Sequence, residues 1–286
     1  MEGQGIDAFL GGDMKTLYVS DLDGTLLRGD VRTSPFTNRV INELTERGML
    51  FSYATARSYL TASRATSGLT ARIPLITYNG TLVRDNSSGE LLLSYFFTRW
   101  EAEELLKALL ENGISPIVYT YDGQEHFSYL RQEINEKTRA FLDSRKPDPR
   151  DRPVSQWEQL LEGEAFYFTC IDEEEKLRPL YERYREQFHC FLQTEFYSGD
   201  CFFEVIPQGA SKANAASQLK EKLKADRLVA FGDGENDLDL FGAADEAYAV
   251  SNAAEKLKHA ATAVIGSNEE DAVARWILKR ETGREE

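Results

Sequence analysis

The sequence predicts an α/β protein: a parallel sheet core with helices on both faces, interrupted by an inserted α/β segment. Three observations carry that reading. Short apolar runs alternate with amphipathic helical stretches at both ends of the chain. Two of those runs end in acidic clusters, Asp21-Leu22-Asp23-Gly24-Thr25 and Gly232-Asp233-Gly234-Glu235-Asn236-Asp237. In open parallel sheets, ligands collect at the carboxyl ends of strands. From Leu91 the pattern changes to a different set of strand-like runs, and the first pattern resumes at Cys201.

Taken in order, Thr16 to Ser20 reads as a buried strand ending in a polar turn. Ser34 and Pro35 suit the N-cap and first position of a helix that puts Phe36, Val40, Ile41 and Leu44 on one face and stops at Gly48. Met49 to Ala54 is a second strand, Ser58 to Thr66 a helix, and Pro74 to Tyr78 a third strand closed by the turn signal Asn79-Gly80. Leu91 to Phe97 then reads as a strand. Thr98 and Glu101 form a capping box for a helix carrying Trp100, Leu105, Leu106 and Leu109. Strand-like runs recur at Ile114 to Tyr121, Ala165 to Ile171 and Phe191 to Phe196, with a helix from Glu173 to Phe188. Ser144 to Pro153, with three prolines, reads as a loop. Cys201 to Ile206 is a strand, and Ser211 caps a helix burying Ala215, Ala216, Leu219 and Leu223. Leu228 to Phe231 and Glu246 to Val250 are strands, with helices near Ala253 to His259 and Glu269 to Arg280.

The chain has 286 residues, enough for one large domain or two smaller ones, and its 42% hydrophobic content can build a core. A formal net charge of −15 argues against a nucleic-acid partner, because the summed field repels a phosphate backbone. A small phosphate can still bind where a metal ion and a few local cations dominate. Cys170, Cys190 and Cys201 are widely spaced and odd in number, which reads as free thiols in a reducing, cytoplasmic compartment. No run approaches the ~20 apolar residues that span a bilayer, so no membrane association is expected. Residues 1–14 have no secretory pattern and read as a short leader.

Asp21 and Asp23 stand at i and i+2 directly after the first strand, and two such carboxylates repel unless a cation or a shared proton intervenes. A calcium-loop reading fails, because its sixth and twelfth positions would be Leu26 and Arg32. The second cluster offers Asp233, Asn236 and Asp237, oxygen donors suited to a hard cation. Thr55-Ala56-Arg57 ends the second strand and offers a hydroxyl and backbone N–H groups to an anion. Lys212 sits in the first turn of a helix, where the helix dipole disfavours a cation, and this misplacement suggests an anionic partner.

Together, DLDGTLL at 21–27, ATAR at 54–57, SKANA at 211–215 and GDGENDLDL at 232–240 resemble the motifs of the haloacid dehalogenase superfamily. TYNG at 77–80 and EVIPQGASK at 204–212 bring the resemblance closer to its Cof-type phosphatases with a large inserted C2-type cap. The chain departs from the family pattern at Ala56 and Asn214, where glycine is common. The resemblance implies a Rossmann-like core at residues 15–81 and 199–286 and an inserted α/β cap at 82–198.

It also implies roles. Asp21 is the nucleophile that forms an aspartyl-phosphate, and Asp23 is the general acid and base. Mg2+ is held by Asp21, the Asp23 backbone carbonyl and Asp233, with Asp237 further out. Leu22, Thr55, Ala56, Lys212 and Asn236 bind the phosphoryl group. Tyr119, Tyr121, His126 and Arg131 fall in the cap as polar or aromatic candidates to face substrate, with strand or helix surface the favoured reading and no substrate contact assigned among them. The implied activity is hydrolysis of a small phosphorylated metabolite, a sugar phosphate foremost, by a monomer or weak homodimer. Phosphomutase or phosphotransferase chemistry on the same aspartate, and a non-catalytic metal- and phosphate-binding module, are the competing readings.

Overall fold

The computed structural model describes residues 14–194 and 200–284. All of the leader but Met14 lies outside the described residues, as do the end of the run Phe191 to Phe196 and the 198/199 cap boundary. In chain order the first elements are β1 (Thr16–Ser20), α1 (Pro35–Glu46), β2 (Leu50–Ala54), α2 (Tyr59–Ala65), β3 (Pro74–Thr77), β4 (Leu82–Asp85) and β5 (Leu91–Ser94). There follow α3 (Arg99–Glu111), β6 (Ile117–Tyr121), β7 (Glu125–Leu130), α4 (Glu136–Asp143), β8 (Asp151–Val154), β9 (Glu164–Asp172), α5 (Glu174–Tyr184) and β10 (His189–Thr194). The last are β11 (Cys201–Ile206), α6 (Lys212–Leu223), β12 (Arg227–Gly232), α7 (Leu238–Ala243), β13 (Glu246–Ala249), α8 (Glu255–Ala260), β14 (Ala263–Val264) and α9 (Ala272–Thr282). The chain divides into two compact units, Met1–Tyr53 with Ser63–Ile73 and Ala216–Glu286, and Ala54–Ala62 with Pro74–Ala215.

In the first unit, strands β14, β13, β12, β1 and β2 lie side by side in that order, all parallel. Leu17, Val19, Leu228, Val229, Ala230 and Phe231 are fully buried, so side chains pointing to either face of the sheet are covered. That is why these strands read as continuous apolar runs rather than alternating ones. Helix α1 starts where its sequence says: Ser34 Oγ accepts from the Thr37 amide at 3.0 Å, and Pro35 follows at the first helical position. It buries Val40, Ile41 and Leu44, each stabilising the fold by about 1.5–3 kcal/mol. Helix α9 places Trp276 against the rings of Tyr18, Phe231 and Tyr248. The register that matters for function pairs Ser20 with Phe231. The chain therefore leaves β1 and β12 at adjacent points on the carboxyl edge of the sheet.

The second unit holds a six-stranded sheet in the order β10, β11, β9, β6, β7, β8, antiparallel except for the β7–β8 pair. Helices α3 and α5 bury Leu105, Leu106, Leu109, Leu177 and Leu180 in one cluster with Phe168 and Phe203. A second cluster gathers Tyr78, Tyr119, Phe127, Phe166, Tyr167 and Ile206. Strands β3, β4 and β5 form an antiparallel run in the same unit. The capping box at Thr98 and Glu101 is present in full.

Three expectations change here. The stretch Ser144 to Pro153 is not all loop, because Asp151–Val154 forms β8. That strand lies at the edge of its sheet, where a proline that cannot donate is tolerated. Trp100 is 64% exposed and lies outside the buried face of α3. Strand β7, EHFSYL, is present where no strand was expected; it interleaves polar residues with Phe127 and Tyr129.

Candidate active site

Asp21 follows β1 directly, and its amide donates to the Phe231 carbonyl at 2.9 Å, which ties it to the end of β12. The next residues, Leu22–Leu26, make a single wide turn broken by extended Asp23 and by Gly24 at φ +72°. Asp21 and Asp237 are buried, and one carboxylate oxygen from each of Asp21, Asp233 and Asp237 lies within 4.8 Å of the others. Three carboxylates this close repel one another strongly in a partly desolvated site. The donor set is all oxygen and the charge is high, which fits a hard divalent cation.

The cluster is held from several directions. Thr25 Oγ1 donates to Asp233 Oδ1 at 3.1 Å, and the Ala254 amide donates to the Asp233 carbonyl at 2.8 Å. Asp237 Oδ2 accepts from the amides of Asp233 and Gly234, each at 3.2 Å, so this carboxylate braces the loop that carries its neighbour. Leu22 is buried, whereas Asp23 and Asn236 are exposed on the turns flanking the cluster.

Thr55 and Lys212 belong to the second unit. Thr55 is buried at the end of β2; its amide donates to Ile76 O at 3.0 Å and its Oγ1 accepts from the Arg57 amide at 3.1 Å. Ala56 beside it is exposed. Lys212 is only 2% exposed at the first turn of α6, and a buried ammonium is stable only among anionic or polar groups. Ser211 Oγ accepts from the Asn214 amide at 3.0 Å, and the Asn214 side chain donates to Gly209 O at 2.6 Å and to the Tyr95 hydroxyl at 3.1 Å. Asn214 thus secures the start of the helix that presents Lys212.

Among the residues read as surface in the inserted segment, Tyr119 is instead buried against Tyr78, Phe127 and Tyr167, because β6 lies inside the six-stranded sheet. Tyr121 stacks on Phe96, His126 Nε2 lies 3.1 Å from Asp122 Oδ1, and Arg131 is exposed. All three cysteines are free; burial pushes the Cys170 thiol well above its usual range and that of Cys190 up to about 12.

The sequence reading missed Asn252. Its Nδ2 donates to Gly24 O at 2.8 Å and its Oδ1 accepts from the Asn268 amide at 3.1 Å. It lies in the loop three residues past the end of β13, and nothing in the local pattern sets it apart.

Residues 18–277 match the family described as haloacid dehalogenase-like hydrolase. Over 92% of its length the chain is 29% identical to an HMP-PP phosphatase of Serratia proteamaculans, of which it covers 94%. It is 26% identical to the 5-amino-6-(5-phospho-D-ribitylamino)uracil phosphatase YwtE of Bacillus subtilis, covering 92% of this chain and 97% of that one. Among solved structures, a haloacid dehalogenase-like hydrolase of Bacteroides thetaiotaomicron aligns with 93% of this chain and 99% of its own, with a TM-score of 0.74 and 25% identity. A Thermotoga maritima protein shares the fold with a TM-score of 0.77 at 24% identity, over 93% of this chain and 97% of its own.

Proposed function

The chain belongs to the haloacid dehalogenase-like hydrolases, and from that premise we propose that it is a magnesium-dependent phosphatase acting through an aspartyl-phosphate on Asp21. It is a phosphoric monoester hydrolase of small phosphorylated metabolites, like its curated relatives. The observation that carries the finer reading is the convergence of Asp21, Asp233 and Asp237 at two adjacent strand ends. We read residues 15–81 and 199–286 as the catalytic core and 82–198 as the cap domain that selects the leaving group.

In this reading a carboxylate oxygen of Asp21 attacks phosphorus, and the bond from phosphorus to the leaving oxygen breaks. Asp23, exposed on the same turn, gives its proton to that oxygen. A water then attacks phosphorus, Asp23 takes a proton from it, and the bond to Asp21 breaks to release inorganic phosphate. The Thr55 hydroxyl and the Lys212 ammonium hold phosphoryl oxygens, joined by backbone N–H groups of Leu22 and Ala56 and by the Asn236 amide. Mg2+, when held by Asp21, the Asp23 carbonyl and Asp233 with Asp237 behind them, supplies neutralisation of the charge on those oxygens.

A phosphate carried on a sugar or sugar-alcohol chain is the substrate class we favour, in keeping with the ribityl phosphate in the name of the Bacillus subtilis relative. Free thiols at all three cysteines support a cytoplasmic setting. Among the described residues, no helix is long and apolar enough to cross a membrane. The test is phosphorus NMR of products formed from a panel of sugar phosphates with Mg2+. Free inorganic phosphate supports hydrolysis. An isomeric phosphate ester would move the assignment to a mutase, and tight binding without turnover would move it to a binding module.

A further inference from the structure

Lys212 does not reach its place by its own helix alone. Gly80, at φ +96°, presses its α-carbon against the Ser211–Lys212 backbone; a methyl group there would collide with the Ser211 carbonyl and stand 2.8 Å from the Lys212 amide nitrogen. The two preceding residues also adopt left-handed backbone, Tyr78 at φ 50° and Asn79 at φ 55°. A tyrosine in that region persists only where its surroundings hold it.

The surroundings are visible. The Tyr78 hydroxyl donates to Glu125 Oε2 at 2.8 Å and accepts from Arg150 Nη1 at 2.6 Å. Arg150 is itself fixed by two hydrogen bonds to Asp148, at 2.9 and 2.6 Å, and Glu125 accepts from Arg84 at 3.1 Å. The side chains of Glu125 and Arg150 are 8% and 9% exposed, so this is a buried and mutually neutralised network. The Tyr78 ring packs edge-on to Phe166 at 4.9 Å. On its other side the turn donates from Tyr78 N to Arg57 O at 3.0 Å and from Asn79 N to Thr55 O at 2.9 Å.

We infer that the Tyr78–Gly80 turn is a positioning element: anchored in the six-stranded sheet through the Tyr78 hydroxyl, it sets Thr55 and Lys212 at a fixed spacing for one phosphoryl group. The inference rests on the reading above that Lys212 and Thr55 bind phosphate. Tyr78 and Gly80 act through those residues and touch no reacting atom. Displacement of a binding group by about 1 Å is enough to cost orders of magnitude in a preorganised site.

The test is the equilibrium affinity for inorganic phosphate in the presence of Mg2+, measured on the full chain alongside circular dichroism and Tm. Lys212→Ala and Gly80→Ala are both expected to weaken binding by about tenfold or more. Gly113→Ala is the control: Gly113 also has positive φ, at +70°, but a methyl there meets nothing within 4 Å. It tests a positive-φ substitution without the collision and should bind phosphate as the wild type does. If Lys212→Ala binds normally, or the wild type does not bind, the phosphate-site reading falls and the positioning role with it. If Lys212→Ala loses affinity while Gly80→Ala keeps it, the positioning role alone is overturned. Should Gly80→Ala fail to fold, Tyr78→Phe decides. It removes one hydroxyl and should weaken binding by about threefold, whereas wild-type affinity in that variant would overturn the proposal.

Discussion

Gly24 lies beneath Asp233 so closely that a methyl group on its α-carbon would collide with Asp233 Oδ2 and stand 2.9 Å from Cγ. The contact joins two loops more than two hundred residues apart in the chain. Gly24→Ala forces either that carboxylate or the turn to move, and also strains the backbone at φ +72°. The expected result is a rise of about tenfold or more in the Mg2+ concentration for half-maximal activity. Superimposable Mg2+ titrations for Gly24→Ala and wild type would remove Asp233 from the metal site.

Removing one charge from the cluster should have opposite effects on stability and on turnover. Asp21→Asn abolishes hydrolysis, because the amide cannot attack phosphorus. In EDTA the same variant should unfold at a higher temperature than wild type, since one of three mutually repelling carboxylates is gone; about 1–4 kcal/mol is the scale for charges ~4 Å apart between bulk water and a partly desolvated site. Adding Mg2+ should raise the Tm of the wild type more than that of the variant. A lower Tm for Asp21→Asn in EDTA would mean that the carboxylates are not the repulsive set described here.

Glu246 supplies a pH test far from the active site. Hydrogen bonds from Arg280, then from Tyr248, hold its carboxyl at about 2, below the ordinary 4.5. A folded pKa below the unfolded one gives stability that is present above pH ~4.5 and is lost as the pH falls toward ~2. Glu246→Gln should therefore cost about 1–2 kcal/mol at neutral pH, allowing for solvent screening. The gap between variant and wild type should close between pH ~4.5 and ~2. Denaturant unfolding at a series of pH values reads this directly, and a gap that stays constant with pH contradicts the assignment.

What the sequence made legible was local. Strands β1 and β12 were readable because both faces are buried and turn residues bound them. Helix α1 was readable from Ser34-Pro35, and the start of α3 from Thr98 and Glu101. The acidic clusters stood out because polar residues gather right after apolar strands. Strand β7 was hidden because Glu125, His126 and Ser128 break up its apolar residues, and β8 because edge placement excuses Pro153. The exposure of Trp100 depends on what packs beside α3, which no helical period encodes. The contact of Gly80 with Lys212, the reach of Asn252 to Gly24 and the Tyr78–Arg150 bond are products of topology, and the local pattern around each residue carries no trace of them.

The most direct measurement of the central claim is p-nitrophenyl phosphate hydrolysis in three arms: wild type with Mg2+, wild type with EDTA, and Asp21→Asn with Mg2+. Turnover is expected in the first arm only. Hydrolysis that survives EDTA, or persists near the wild-type rate in Asp21→Asn, would contradict a metal-dependent phosphatase working through Asp21.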